Sequence, residues 1–201
     1  MKREFSAMKL AKLLGAGALA LALAGCVSLS PKVPEQLFTL TPASMAAAGS
    51  VASGKASDAI VVFEPETDKR LAVQRVPVQL DDANVAYLQK AMWVERPARL
   101  FGALLAETLR AKGGRLVFEA DETTTPGGTR LTGRLLDMGY DARSSSVVVR
   151  YDAIRTAPGG ELATKRFESV IPNVPAKAEA VGPALNDAAN AVAAQVAEWM
   201  G

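Results

Sequence analysis

Residues 179–200 read EAVGPALNDAANAVAAQVAEWM, and more than any other stretch they determine the expected architecture. Apolar side chains return every three or four residues along it, which predicts an amphipathic helix with one apolar face. They are Val181, Leu185, Ala188, Val192 and Trp199, with Gln195 as the only polar residue in that seam. Such a face can pack on a sheet of the same chain or pair with another subunit. Of these two arrangements, we expect the helix to pack on its own sheet.

A second helix is predicted over residues 97–112. Pro97 suits the first turn of a helix, where its missing N–H is not needed. The apolar positions that follow have helical spacing, and they are Leu100, Phe101, Leu104, Leu105 and Leu109. Gly113 and Gly114 come directly after Lys112, and glycine commonly ends a helix.

Several runs in the rest of the chain are typical of β-strands. Residues 59–63 are continuously apolar, which predicts a central strand that is buried on both faces. Residues 37–41, 84–88 and 116–118 predict further short strands. Residues 43–58 are rich in alanine, glycine and serine and predict a loop.

The chain between 130 and 171 predicts an antiparallel meander. Residues 130–140, 147–154 and 162–171 each alternate in polarity, and proline-glycine turn signals accompany them. Residues 64–82 are charged and predicted to be irregular. Together these elements predict an α+β fold, a two-layer sandwich of a mixed, mostly antiparallel sheet with two main helices at about 97–112 and 179–200.

The first 25 residues have the layout of a secretory signal. Basic side chains stand at the start, and an apolar run follows over 13–24. That run is shorter than the roughly 20 residues of a membrane-spanning helix. Met8 could serve as the start instead of Met1, because Lys9 and Lys12 would still supply the positive charge.

The signal ends in the sequence Leu23-Ala24-Gly25-Cys26, which resembles a bacterial lipoprotein box. That resemblance implies cleavage between Gly25 and Cys26 and attachment of acyl chains such as palmitate to Cys26. The alternative is an ordinary secretory signal with a chance cysteine. Residues 1–25 would then be removed, 26–35 would be a proline-containing tether, and 36–201 would form the domain. Val27 stands where aspartate would retain an enteric lipoprotein in the inner membrane, so we expect the periplasmic face of the outer membrane, with the inner membrane as the alternative.

The charge balance argues against nucleic acid as a partner. The chain has 23 basic and 21 acidic residues, and four of the basic and one of the acidic lie within 1–25. The mature chain would therefore carry a net charge of −1, which gives no electrostatic reason for binding a polyanion.

The residue types argue against an enzyme, a metal site and a cofactor. The chain has no histidine, so a Ser-His-Asp triad and a histidine zinc site are excluded. The lipobox resemblance implies that the one cysteine, Cys26, is acylated, which would leave no free catalytic thiol. The carboxylate pairs Asp81-Asp82 and Asp121-Glu122 fall in predicted loops, where solvated surface charge is the ordinary explanation. A glycosidase-like pair of carboxylates that folding brings together is the one catalytic route left.

The order of these segments resembles the ABC-type transport auxiliary lipoproteins, which include the PqiC-type lipoproteins of MCE lipid-transport systems. The lipobox is followed by a spacer and by residues 37–42, which are similar to the family's tyrosine-leucine-threonine-proline start, with Phe38 in place of tyrosine. The strand that ends at Phe63 and the segment 75–80 come next. A middle block over 84–105 and a hairpin region then lead to a C-terminal helix that ends near Trp199.

The resemblance implies a non-catalytic accessory role. Such lipoproteins work with an inner-membrane ABC permease and ATPase and with a periplasmic MCE-domain protein. They would dock onto, or complete, a conduit for lipid or other apolar molecules at the outer membrane, and a homo-oligomer such as a ring would fit that role. The alternatives are an outer-membrane assembly or lipopolysaccharide-chaperone lipoprotein and a periplasmic enzyme.

The residues also suggest where a partner would bind. Tyr87, Met92 and Trp93 lie between a predicted strand and the proline-started helix, beside charged residues. Tyrosine, tryptophan and methionine are enriched in interface cores. We therefore expect these three side chains to form a semi-exposed interface patch, the alternative being that they fill the core.

Overall fold

The computed structural model describes residues 37–120 and 128–201. Within them, α1 spans Pro97–Lys112, α2 spans Ala178–Met200, and a 3₁₀ turn spans Ala56–Asp58. The strands are β1 Ile60–Val62, β2 Arg75–Gln79, β3 Val85–Met92, β4 Val117–Glu119, β5 Thr129–Asp141, β6 Ser146–Thr156 and β7 Leu162–Ile171. The predicted α+β class, a mixed sheet with two main helices, is confirmed.

The predicted signal 1–25, the tether 26–35, the Gly25–Cys26 cleavage position and the carboxylates Asp121 and Glu122 lie outside the described residues. Within the described residues, neither helix combines the length and the apolar character that a membrane crossing requires.

The sheet is organised around β5. Along one side of β5, β6 pairs antiparallel over nearly the whole strand, and β7 pairs antiparallel with β6. Along the other side, β1 pairs parallel with the start of β5 and β2 pairs parallel with its end. β4 continues the sheet beyond β1, and β3 continues it beyond β2. The meander β5-β6-β7 is therefore as the sequence predicts, and the parallel pairs make the sheet mixed.

Alternate residues of the long strands build the core. On β5 and β6 the inward side chains are fully buried, and they include Leu131, Leu135, Val147, Val149 and Tyr151. They form one cluster with the buried residues of both helices. β1 is buried throughout, between β4 and β5, as its continuous apolar run predicts.

The buried stripe of α2 differs from the predicted seam at its C-terminal end. Gln195 is exposed, whereas the buried residues Ala188, Val192, Val196 and Met200 continue in steps of four. With 3.6 residues per turn, a step of four advances around the helix by roughly 40°, and a step of three falls back by roughly 60°. The three-residue step from Val192 to Gln195 therefore leads out of the buried stripe. Gln195 lies beside the apolar face and does not interrupt it.

Two differences concern the short strands. The segment 64–82, predicted to be irregular, contains β2, and the predicted strand 84–88 extends to Met92. The predicted strand 37–41 is reduced to one bridge, between Phe38 and Trp93.

Side-chain amides of α2 hold the backbone that follows Phe38. Asn186 Oδ1 accepts a hydrogen bond from Thr41 N at 2.8 Å, and Asn190 Oδ1 accepts one from Ala43 N at 2.7 Å. Asn190 Nδ2 donates to Thr41 O at 2.9 Å. These groups bond the segment as a neighbouring strand would, so residues 41–43 are fixed to the helix and not to the sheet.

We expect Asn190→Ala to lower the free energy of unfolding by about 1–2 kcal/mol, because it removes bonds to both Thr41 and Ala43. Hydrogen exchange at the Ala43 amide should quicken more than exchange in the sheet. Asp187→Ala is the matched control, since Asp187 is exposed on the same helix. Equal exchange at Ala43 in both variants would contradict this attachment to the helix.

Candidate functional site

The sheet face opposite the helices carries rows of charged side chains. On β6 and β7, Arg150 lies opposite Glu168 and Asp152 lies opposite Arg166. Opposite charges at facing positions of an antiparallel pair stabilise the sheet. Because β6 buries alternate residues, these charges all project from the opposite face, which no helix among the described residues covers and which we call the uncovered face.

The charges join into a continuous ion-pair lattice, which we define as Arg70, Asp137, Arg150 and Glu168. Asp137 binds Arg70 Nη2 at 2.8 Å and Arg150 Nη1 at 2.5 Å, and Arg150 Nε binds Glu168. The register of β5 and β6 shifts between Leu135 and Asp137. Arg70 Nη2 also donates to the carbonyl between them, at residue 136. The lattice thus ties the loop before β2 to the meander.

A cleft of about 240 Å³ opens beside the lattice, and its lining is mainly polar. Arg70, Gln79, Asp137, Asp141 and Arg143 contribute to it. Each arginine already binds a carboxylate, so the cleft has little spare positive charge for an anionic ligand. It is suited to hydrogen bonding with another polar surface.

Asp141, one of the carboxylates that line the cleft, is poorly suited to act as a general acid. The hydrogen bond from Arg143 holds the pKa of Asp141 below its usual range, whereas a general acid needs a raised pKa. In the part of the chain that the structure describes, no group of three or more histidine, cysteine, aspartate or glutamate side chains could hold a metal ion.

Acid should weaken the sheet face through Asp152. The hydrogen bond from Arg166 lowers the pKa of the Asp152 carboxyl, so this pair stabilises the fold above the unfolded-state pKa and loses its effect as the pH falls through the folded-state value. We expect Asp152→Asn to cost less than about 1 kcal/mol near neutrality, because both partners are partly exposed. In urea titrations, the difference from wild type should shrink in acid and in high salt. A difference that is independent of pH would contradict this assignment, and Asp187→Asn serves as the control.

The structure divides the predicted interface patch. Tyr87 and Met92 are half-buried, whereas Trp93 is 1% exposed and belongs to the core. Successive residues of an extended chain point to opposite faces, so Met92 and Trp93 cannot both reach one surface. The expectation that Trp93 is semi-exposed is therefore wrong, and Tyr87 and Met92 remain candidates.

Tyr87 is fixed in place at the rim of the uncovered face. The Arg75 guanidinium carbon lies 4.2 Å from the centre of its ring, which is cation–π distance. The hydroxyl lies 3.5 Å from the Arg70 carbonyl oxygen. Tyr87 also lies opposite Pro77, one of the residues that line the cleft. The rim and the cleft therefore form one surface.

Sequence reasoning did not identify Arg70, Asp137 or Arg150 as part of a shared surface. Alternation on β6 placed Arg150 and Asp152 on one face, and that much was available from the sequence. The loop that carries Arg70 gave no signal, because its position depends on the pairing of β2 with β5.

Two of the solved structures to which this chain is similar share its fold. Protein XCC0632 from Xanthomonas campestris, described as a DUF330 protein, superposes with a TM-score of 0.64 at 15% identity over 83% of this chain and 92% of its own. A second, uncharacterized protein superposes with a TM-score of 0.61 at 11% identity over 83% of this chain and 100% of its own. The PelC dodecamer from Paraburkholderia phytofirmans gives a TM-score of 0.41 at 14% identity, over 73% and 91% of the two chains.

Sequence comparison identifies the family. No curated protein matches the chain. The profile of the ABC-type transport auxiliary lipoprotein component family matches residues 38–197, which cover nearly all of the described domain. The family resemblance that the sequence suggested is therefore confirmed. The chain belongs to the ABC-type transport auxiliary lipoprotein component family.

Proposed function

We propose that this protein is a lipid-anchored, non-catalytic component of an MCE-type ABC transport system. It docks onto, or completes, a periplasmic conduit for lipid or other apolar molecules at the outer membrane. The family match over residues 38–197 carries this proposal. The uncovered, polar sheet face supports it, because such a surface suits recognition of another protein better than chemistry.

The anchor in this proposal is Cys26. Acyl chains on this residue contribute about 0.8 kcal/mol for each buried CH₂ group, so several chains hold a protein firmly in a membrane. Val27 after the cysteine favours the outer membrane, and the inner membrane remains the alternative. Cys26→Ser should move the protein from the membrane fraction to the soluble fraction.

The docking surface in this proposal is the rim around Tyr87 with the adjoining cleft. Tyr87 presents an aromatic ring that Arg75 already orients, so little side-chain freedom is lost on binding. Met92 contributes an adaptable apolar side chain on the same strand. The partner on this surface is the MCE-domain protein, which itself associates with the permease and ATPase.

Cross-linking of the lipidated chain in its native membranes, followed by affinity purification and mass spectrometry, tests this function. We expect an MCE-domain protein and the ABC permease and ATPase to be recovered. Recovery of only barrel-assembly or lipopolysaccharide-transport proteins would instead support the alternative of an outer-membrane assembly lipoprotein.

The surface itself is tested with Tyr87→Ala. A well-packed interface tyrosine is worth about 2 kcal/mol or more, so we expect affinity for the purified MCE-domain protein to fall at least about thirtyfold. Phe118→Ala is the matched control, because Phe118 is a partly exposed aromatic on β4, at a different edge of the sheet. Equal losses in the two variants, or unchanged binding by Tyr87→Ala, would exclude this rim as the docking surface.

A further inference from the structure

Three chain segments meet where the described domain begins. The carbonyl of Phe38 accepts a hydrogen bond from Val94 N, and the carbonyl of Gln74 accepts one from Trp93 N, both at 2.8 Å. Gln74 Nε2 also donates to the Val94 carbonyl at 2.8 Å. The segments around residues 38, 74 and 94 are thus bonded into one rigid corner, and Leu37 is the first described residue of the chain.

Each segment of this corner exposes one apolar side chain. Leu37 is 44% exposed, Val73 is 37% exposed and Val94 is 49% exposed. We call these three residues the tether-end patch. Single exposed apolar residues are ordinary on a soluble protein, but a group of them on joined segments indicates a contact surface.

The charges beside the tether-end patch are mostly basic. Lys69, Arg75 and Lys90 are exposed and lie within four residues of a patch residue. In the described ranges, no carboxylate lies within ion-pair distance of these three side chains, whereas two nearby glutamates, at positions 64 and 95, are bound by arginines. Arg75 stacks on the Tyr87 ring, which leaves Lys69 and Lys90 as the cations beside the patch that have no partner in the described ranges. Apolar residues with such cations around them fit the headgroup region of a bilayer that contains anionic phospholipid.

The length of the chain before Leu37 keeps this corner near the lipid. Ten residues lie between Cys26 and Leu37, and the eleven Cα–Cα steps that join the two residues span at most about 40 Å. A domain of this size has a radius of gyration of about 15 Å, so the chain before Leu37 can reach no farther than about one domain diameter. Among the described residues, Leu37 is the one nearest along the chain to the lipid anchor.

We propose that the tether-end patch of Leu37, Val73 and Val94 rests on the membrane surface and orients the domain. This inference rests on the lipid anchor of the proposed function and adds a second, reversible membrane contact. Resting on this corner, the domain is restricted to a few orientations on its tether. Because Tyr87 and the cleft lie on the uncovered sheet face, that contact would fix the direction in which the docking surface points.

Fluorescence quenching in vesicles tests the contact. Three single variants of the full lipidated chain are labelled with a nitrobenzoxadiazole dye at the new cysteine. Two of them, Val94→Cys and Val73→Cys, place the dye in the patch, and Leu162→Cys places it elsewhere. Cys26, the only natural cysteine, is blocked by its lipid. Leu162 is the matched control, an exposed apolar residue at the start of β7. The vesicles contain phosphatidylethanolamine and phosphatidylglycerol, with a nitroxide phospholipid that quenches near the headgroups.

We expect quenching at positions 94 and 73 to exceed that at 162 severalfold, since an interfacial apolar contact enters the membrane by about 5–10 Å. Equal quenching at all three positions, or none at 94 and 73, would overturn the proposal. The proposal would also be overturned if the fluorescence of the dye at position 94 changed only when the transport proteins were added, because the contact would then be with protein and not with lipid. The mass of the N-terminal peptide and co-flotation with vesicles show separately whether the lipid anchor is present. A chain without lipid would contradict the proposed function, whereas a lipidated chain whose dye is not quenched would contradict only this inference.

Discussion

Replacement of Gly133 by alanine is expected to lower the free energy of unfolding by about 3–5 kcal/mol, through a backbone clash and a strained conformation together. Gly133 lies on β5 with φ +154°, and a Cβ atom there would come within 2.1 Å of the Asp152 carbonyl oxygen. That oxygen belongs to the backbone of β6, so no side-chain rotation relieves the contact. The two central strands would have to separate.

Tyr151 explains why glycine is needed at this position. The added Cβ would lie 2.7 Å from the Tyr151 hydroxyl, and this hydroxyl donates to the Thr132 carbonyl at 2.9 Å. The same ring packs edge-on against Phe101 of α1 with the ring centres 5.3 Å apart. Because Gly133 has no side chain, the Tyr151 ring can pass over it and pack against the helix.

Urea denaturation followed by circular dichroism measures the loss. Gly159→Ala is the matched control, because Gly159 also has a positive φ, +102°, but has nothing within 4 Å of an added Cβ. That variant carries only the conformational cost, about 1–2 kcal/mol. If the two variants unfold at the same urea concentration, the close approach of β5 and β6 at Gly133 is not present in solution.

Residue pattern was sufficient to predict the elements whose partners are adjacent in sequence. The meander and both helices follow from alternation, helical spacing and turn residues between positions 97 and 200. β2 was missed because Pro77 and the surrounding charges are typical of a loop. In the structure, the pairing of β2 with β3 shifts register between Arg75 and Pro77, and proline is tolerated at such irregularities.

The segment after Phe38 shows a different limit. Its alternation predicts a strand, but its backbone bonds go to the side chains of Asn186 and Asn190, which are about 145 residues away in the chain. Nothing local distinguishes an amide partner on a helix from a neighbouring strand. The candidate site was difficult to predict for the same reason. Tyr87 was proposed because tyrosine is common at interfaces, whereas Arg70 meets its carboxylate partner on β5 only once the chain has folded.

Replacement of Trp93 by alanine is expected to cost about 3–5 kcal/mol, the usual range for a large aromatic residue in a core. Trp93 is 1% exposed, and its ring packs edge-on against Phe38 with the ring centres 5.6 Å apart. The Phe38 ring in turn packs closely over Gly182 of α2. The lost ring would leave a cavity where the sheet, the N-terminal segment and α2 meet.

Trp93→Phe separates packing from hydrogen bonding at the same position. The indole Nε1 is buried and has no hydrogen-bond partner within the described part of the chain. A buried, unpaired N–H carries a desolvation cost, so phenylalanine removes that cost while it keeps most of the ring. We therefore expect Trp93→Phe to stay within about 1.5 kcal/mol of wild type. If the phenylalanine variant were as unstable as the alanine variant, the N–H would have to bind a partner. If Trp93→Ala instead kept full stability and lost affinity for the MCE-domain protein, Trp93 would be an exposed contact, and Met92 would be the residue that faces the core.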